Sequence, residues 1–214
     1  LYALRSRDYF RRMGPDDRRY LLFNPIQKMK VTTQGGDVVR MLMDVVCAKG
    51  YERDTFLSNA YAVADMLPRL EGTAHVNMSL VLKFIVNYFF NPVEYPEIGI
   101  VDEAKDDNNI FGQTIGGLAK VRFPDYRKAY EGVDLPNVKR FMEQVEELRA
   151  LLMEDAPDAS LLKNMDHMLN YGELFTMVVY AQLVLEGAKL NDVEDELIDQ
   201  MFDCFIKDMN KYAL

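Results

Sequence analysis

Apolar residues recur every three or four positions through most of the chain, and this spacing constrains the fold most strongly. The clearest run is Leu197, Ile198, Met201, Phe202, Phe205, Ile206 and Met209. Such spacing places apolar side chains on one face of an α-helix, and we expect this run to be core or a subunit interface. Met, Leu, Val and Ala are common and Pro is sparse, which favours packed helices over sheets. The sequence therefore predicts an all-α fold.

Helix-breaking residues divide the first part of the chain. The pattern predicts helices over residues 2–13, from Asp16 or Asp17 through Pro25 to Val46, over 55–67 and over 74–90. Gly35-Gly36 lies inside the second helix, where another helix or a cofactor could approach closely. Gly50 fits a C-terminal cap. Residues 74–90 are apolar on nearly every face, which predicts burial inside a bundle.

The helical pattern stops between residues 92 and 136 and then resumes. The later segment predicts one helix from Pro136 to about Glu154 and a second from Asp158 or Ser160 to Gly187. Asn191 with Glu194 is typical of a capping box at the start of a third. We therefore predict a helical domain at 1–91, an irregular connection at 92–136 and an additional acidic helical domain at 137–214.

The net charge of −9 comes from residues 137–214, which hold 16 acidic and 7 basic residues. An acidic surface repels phosphate backbones and anionic lipids, which argues against nucleic-acid and membrane partners. No stretch is expected to span a membrane, and no secretory signal is seen. Cys47 and Cys204 are expected to be buried free thiols. The two histidines, His75 and His167, have no spacing suited to a metal.

The sequence Glu71-Gly72-Thr73 stands at a predicted turn before the apolar 74–90 helix. A carboxylate at the entrance to an apolar bundle loses solvation, which raises its pKa and makes it a better base. Gly72 leaves room for a flat ligand, and Thr73 offers a hydroxyl at the helix start. The same residues are also explained as an ordinary capped helix start with an exposed glutamate, and this alternative interpretation stays open.

Residues 24–90 resemble the C-terminal helical domain of acyl-CoA dehydrogenases. Lys28 matches a recurring lysine, Gly50-Tyr51 matches the end of a turn, and Glu71-Gly72-Thr73 follows at the family spacing. The resemblance implies an up-and-down helical bundle followed here by a second helical unit. Leu70 stands where a tyrosine commonly precedes the base, which predicts an altered acyl pocket.

The resemblance also implies a function. Glu71 would be the base that removes the α-proton of an acyl-CoA, with FAD as hydride acceptor. Gly72, Thr73, Asn77 and Gly50 would contact the flavin, Gly50 that of a neighbouring subunit. Implied partners are the acyl-CoA substrate, an electron-transfer flavoprotein, further copies of the chain in a homo-oligomer and the N-terminal domains of the same enzyme, expected before Leu1.

Two other functions stay open at this point. An acyl-CoA oxidase would share the base and the flavin but pass electrons to oxygen. A non-catalytic helical assembly or interaction module would keep the fold alone. The family implies a cytoplasmic location in a bacterium or the mitochondrial matrix, and no targeting segment is visible.

Overall fold

The structure is a computed structural model that describes residues 1–70, 72–103, 108–111, 116–154 and 164–213. Every regular element in these ranges is a helix, which confirms the all-α prediction. The α-helices are α1 Tyr2–Arg11, α2 Tyr20–Ile26, α3 Thr32–Val46, α4 Phe56–Met66, α5 Ala74–Val81, α6 Ile85–Phe90, α7 Asn108–Phe111, α8 Pro136–Glu154, α9 Met165–Leu190 and α10 Asp195–Tyr212. A π-helical turn, Gln27–Val31, joins α2 to α3.

Helix α9 lies at the centre of the structure and packs against α1, α5 and α10. Its side chains are buried on several faces, including Phe175, Val179 and Leu183. Its predicted start at Asp158 or Ser160 lies outside the described residues. As described, α9 begins after Asn164, whose side-chain oxygen accepts hydrogen bonds from the first-turn N–H groups, as an N-cap does.

Helix α9 is the helix that bears on the predicted absence of a membrane span. By length and composition it could cross a membrane, although no stretch was expected to do so. Within its most apolar window, 67% is buried inside the protein. A helix that is apolar on all faces is also what the centre of a bundle requires, and this burial accounts for its composition.

The carboxylate of Glu186 on α9 is the centre of a buried hydrogen-bond network. It accepts from Arg5 Nε at 2.8 Å and from the Tyr9 hydroxyl at 2.8 Å, both on α1. Its other oxygen accepts from Gln182 Nε2 at 2.7 Å, and Gln182 accepts from the Tyr88 hydroxyl on α6. Burial raises the pKa of Tyr9, so its hydroxyl stays protonated and keeps donating. Three helices are thereby joined through one carboxylate.

The segment predicted as an irregular connection is anchored by polar contacts. Arg5 Nη1 donates to the Ile98 carbonyl at 2.7 Å, and Asn87 Nδ2 donates to the Val121 carbonyl at 2.9 Å. Arg127 donates twice to the Glu146 carboxylate of α8, each at 2.9 Å. These contacts hold the described parts of this segment around Ile98, Val121 and Arg127 against the helices before and after them.

Aromatic side chains from all three predicted segments share one buried cluster. The ring of Tyr88 lies 5.2 Å from that of Phe175 and 5.5 Å from that of Tyr126, measured between centroids. Phe123 contacts both Tyr88 and Phe84. The division at residues 91 and 136 stays a prediction, and the segments on either side of it have a common core.

Three predictions of burial were wrong. Cys47 and Cys204 are free thiols, as expected, but both are exposed. Cys47 follows α3 at the tip of the α3–α4 hairpin, and Cys204 lies on the outer face of α10. The 74–90 segment is interrupted by a 3₁₀ turn, Leu82–Phe84, and exposes Val76 and Val86. One face of this segment is therefore buried and another faces outward.

Two predictions of helix ends were also wrong. Helix α3 ends at Val46, and Cys47 takes the positive φ of 58° after it, while Gly50 lies in a 3₁₀ turn. A Cβ on Gly50 would lie 3.0 Å from Met43 Sδ, so close packing explains this glycine. Asn191 ends α9, donating to the Gly187 carbonyl at 2.7 Å, and Glu194 precedes α10.

Helix α9 approaches α5 most closely at Gly172. A Cβ built there would lie 2.3 Å from Met78 Sδ and 2.7 Å from Met78 Cγ. We predict that Gly172→Ala lowers the free energy of unfolding by about 1–3 kcal/mol, because the added methyl overpacks this contact. Denaturant unfolding monitored by circular dichroism measures the change.

Gly35→Ala is the matched control, because a Cβ at this position in α3 would meet nothing within 4 Å. It should raise stability by up to about 1 kcal/mol through helix propensity alone. A Gly172→Ala protein as stable as Gly35→Ala would contradict the close approach of α9 to α5.

Candidate functional site

The turn between α4 and α5 carries the motif Glu71-Gly72-Thr73. A 3₁₀ turn, Leu67–Arg69, follows α4, and Leu70 is extended. Glu71, the predicted base, lies outside the described residues. Gly72 has a φ of 96°, a conformation that favours glycine, and Thr73 is the N-cap residue of α5. The glycine therefore takes the left-handed conformation two residues before the first residue of α5.

Two side chains hold the backbone of this turn. Lys28 Nζ, in the π-helical turn, donates to the Leu67 carbonyl at 2.5 Å. Asn77 Nδ2 donates to the carbonyls of Gly72 and Thr73, each at 3.1 Å. Asn77, predicted to contact a flavin, thus contacts the motif and fixes its backbone. Lys28, which the sequence noted only as a recurring lysine, anchors the start of the same turn.

A groove of about 420 Å³ lies beside the motif, between α3, α4 and the start of α5. Its lining residues are Thr33, Gly36, Asp37, Arg40, Ala64, Asp65, Pro68, Arg69, Thr73, Ala74 and His75. The two helices approach closely at Gly36, where a Cβ would lie 3.7 Å from the Ala64 carbonyl oxygen. That agrees with the expected close approach of a second helix, and Gly35 meets no such neighbour.

Charged pairs occupy the groove wall. Arg40 pairs with Asp37 at 2.9 Å, and Arg69 pairs with Asp65 at 3.1 Å. A hydrogen bond to Tyr61 and the charge of Asp37 raise the pKa of Arg40 above its ordinary value. The two arginines and the two aspartates balance, so these pairs leave the groove wall without net charge.

The predicted site residues fall into two places. Thr73 lines the groove, and Asn77 lines a neighbouring depression of about 340 Å³ with Lys28 and Tyr20. Gly72 lies between them in the chain. Gly50 is in the turn at the far end of the α3–α4 hairpin, where it packs against Met43, and it lines neither the groove nor the depression. Gly50 therefore does not share a site with the motif within one chain.

A set of exposed apolar side chains lies along α3 and α4, in the turn after α4 and on α5. The apolar face, as we call it, consists of Val38, Met41, Leu42, Val45, Val46, Phe56, Val63, Met66, Leu67, Leu70 and Val76. All residues of α4 are described and none is buried; Phe56 is 82% exposed and Val45 79%. Large contiguous apolar surfaces mark places where another surface binds. Sequence reasoning missed this face, because its helical spacing is the same as that of a core-facing helix.

The described residues contain no group of three or more His, Cys, Asp or Glu side chains placed to hold a metal ion. Comparison with models of protein families, with curated proteins and with solved structures finds no match to this chain.

The two hydrogen bonds from Asn77 should be what orders the motif. We predict that Asn77→Leu, which keeps the size of the side chain but removes its donors, increases amide exchange about tenfold at residues 77–81, whose amides α5 protects from Asn77 onward. Each lost bond costs about 0.5–1.5 kcal/mol, and the loss should be local. Hydrogen exchange followed by mass spectrometry measures it.

Ser79→Ala on the same helix is the control, since the Ser79 hydroxyl donates only to the His75 carbonyl one turn earlier. It should leave exchange at residues 77–81 unchanged. Equal exchange in the Asn77→Leu variant and the unmodified protein would show that Asn77 does not hold the turn.

Proposed function

We propose that this chain is the C-terminal helical part of a flavin-dependent acyl-CoA dehydrogenase, with a second helical unit added. The observation that supports this most directly is the placement of Gly72 and Thr73 at the start of α5, beside a groove, with Lys28 and Asn77 holding the turn. The resemblance of residues 24–90 depends on these same positions. The sequence supplies Glu71 at the remaining position of the motif.

Glu71 acts as the base in this proposal. It takes the proton from the α-carbon of an acyl-CoA thioester, and the β-hydrogen leaves with its electron pair, so that an α,β-double bond forms. The flavin, when bound, supplies the acceptor for that hydride. An α-proton is weakly acidic, and a carboxylate removes it only if water is excluded and the developing enolate is stabilised.

The groove residues fit part of a flavin. The Thr73 hydroxyl makes no capping bond to α5, so it is available to a ligand, and Gly72 adds no side chain beside it. A groove of about 420 Å³ suits a ring system, whereas a whole dinucleotide is larger. Gly72 and Thr73 would hold the flavin, with Asn77 acting through the motif backbone. Gly50, some distance along the hairpin, would contact the flavin of a neighbouring subunit.

The apolar face supports a requirement for further protein at this site. Leu67, Leu70 and Val76 stand around the motif and are exposed, so this chain leaves the turn open to water. Covering these side chains would exclude water from the turn, and an apolar environment raises the pKa of a carboxylate, as a base needs. In the proposed enzyme the N-terminal domains and a second copy of the chain provide that cover.

The apolar face also supports a second candidate, a non-catalytic helical assembly or interaction module. Such a module needs the apolar side chains but neither Glu71 nor the groove. An acyl-CoA oxidase would need the apolar side chains, Glu71 and the groove. It differs from the dehydrogenase only in its electron acceptor, which is oxygen rather than an electron-transfer flavoprotein. Flavin content and reactivity with oxygen distinguish the three.

Replacement of Glu71 tests the proposed base. We predict that Glu71→Gln in the full-length protein binds flavin normally but slows its anaerobic bleaching by acyl-CoA at least 100-fold, since general-base catalysis contributes about 10²–10⁴. Stopped-flow absorbance of the flavin band measures the rate over a panel of acyl chain lengths.

Glu52→Gln, an exposed glutamate at the tip of the α3–α4 hairpin, is the matched control and should bleach at the normal rate. Bleaching at the normal rate in Glu71→Gln would refute the assignment of the base. A colourless full-length protein that acyl-CoA leaves unchanged would favour the interaction module instead.

A further inference from the structure

A second cavity, of about 350 Å³, lies in the C-terminal part of the structure between α8, α9 and α10. Three of its lining side chains, Leu148, Leu174 and Met209, are buried and apolar. Leu151 and Asn170 also line it and are exposed. The cavity thus has an apolar interior and an edge that solvent can reach, as small-molecule sites do. None of its lining residues belongs to the groove beside the motif.

Two of the lining residues have a polar atom that is shielded from solvent and has no hydrogen-bond partner. These atoms are Gln144 Oε1 and His167 Nε2. The amide nitrogen of Gln144 already donates to Asn210 Oδ1 at 2.9 Å, which fixes the orientation of the amide and leaves its oxygen as an acceptor. The His167 ring packs edge-on against Tyr171, with centroids 4.7 Å apart. Buried polar atoms are normally paired, and unpaired ones in a cavity wall indicate a ligand.

Charge limits what kind of head group the cavity accepts. The described residues that line the cavity include one acidic side chain, the exposed Glu147, and no Lys or Arg. The surrounding segment is acidic as well, with an excess of nine negative charges after residue 136. A carboxylate or phosphate head is therefore repelled, whereas a hydroxyl or an ammonium group is not.

We propose that this cavity binds a small amphipathic molecule with an apolar body and a non-anionic, hydrogen-bond-donating head. The head donates to Gln144 Oε1, and the body lies against Leu148, Leu174 and Met209. His167 Nε2 provides a second polar contact, as donor or acceptor according to its tautomer. At roughly 30 Å³ per small heavy group, the cavity holds about a dozen heavy atoms. This inference does not depend on the proposed flavoenzyme activity.

Calorimetric titration with straight-chain probes tests the proposal. We expect 1-octanol and octylamine to bind at one site and octanoate to bind at least tenfold more weakly. From hexyl to octyl probes the affinity should rise about three- to fourfold per methylene. It should stop rising once the probe exceeds about a dozen heavy atoms. Equal binding of octanoate, or no binding of any probe, would overturn the proposal.

Variants locate the site. Leu151→Trp fills the cavity from an exposed position and should weaken octanol binding at least tenfold. Met153→Trp, exposed on the same helix but not among the cavity residues, should not change the affinity for octanol.

Two further variants test the polar contacts of the head group. Glu147→Gln should reduce the ratio of the affinity for octylamine to the affinity for octanoate. His167→Phe keeps the ring contact with Tyr171 and should weaken octanol about two- to tenfold. Binding unchanged in both Leu151→Trp and His167→Phe would place the probes elsewhere and refute the assignment.

Discussion

The partly buried carboxylate of Glu186 accepts the hydrogen bonds on which the arrangement of the bundle depends. It holds Arg5 and Tyr9 of α1 directly and reaches Tyr88 of α6 through Gln182. A charge buried among helices is stable only when it is paired and its remaining hydrogen-bonding groups are satisfied. Here both oxygens have partners, and Arg5 is only 6% exposed. The helices cannot shift relative to one another without leaving one of these groups unpaired.

The motif depends on the same helices. Helix α5 begins at Ala74, directly after Thr73, and leads through a 3₁₀ turn into α6, which supplies Tyr88 to the network. Its other side packs against α9 at Gly172. One end of this helix pair is thus fixed in the core, while the end that carries the motif is exposed beside the apolar face. This division supports a site that is completed by another polypeptide surface rather than by the core of this chain.

Helical spacing in the sequence predicted the all-α fold and several helix ends, such as α8 from Pro136 to Glu154. It did not predict which apolar faces stay exposed, because spacing identifies a face but not what covers it. The spacing could not predict the hydrogen-bond network around Glu186 either, because Arg5 and Glu186 are 181 positions apart and no local pattern joins them. At the site, the resemblance pointed to Lys28 and Asn77, but their contacts to the turn required the structure.

Hydrogen exchange in the Glu186→Gln variant tests most directly whether this network makes one unit of α9 and the helices that lead to the motif. Removing the charge takes away the closer of the two carboxylates paired with the buried Arg5 and leaves it Asp8 at 3.9 Å, which costs on the order of 3 kcal/mol. The amides of α1, α6 and α9 should then lose protection together and by the same free energy. If only α1 and α9 lost protection while α6 kept its own, α6 would be held independently and the central role of Glu186 would be contradicted.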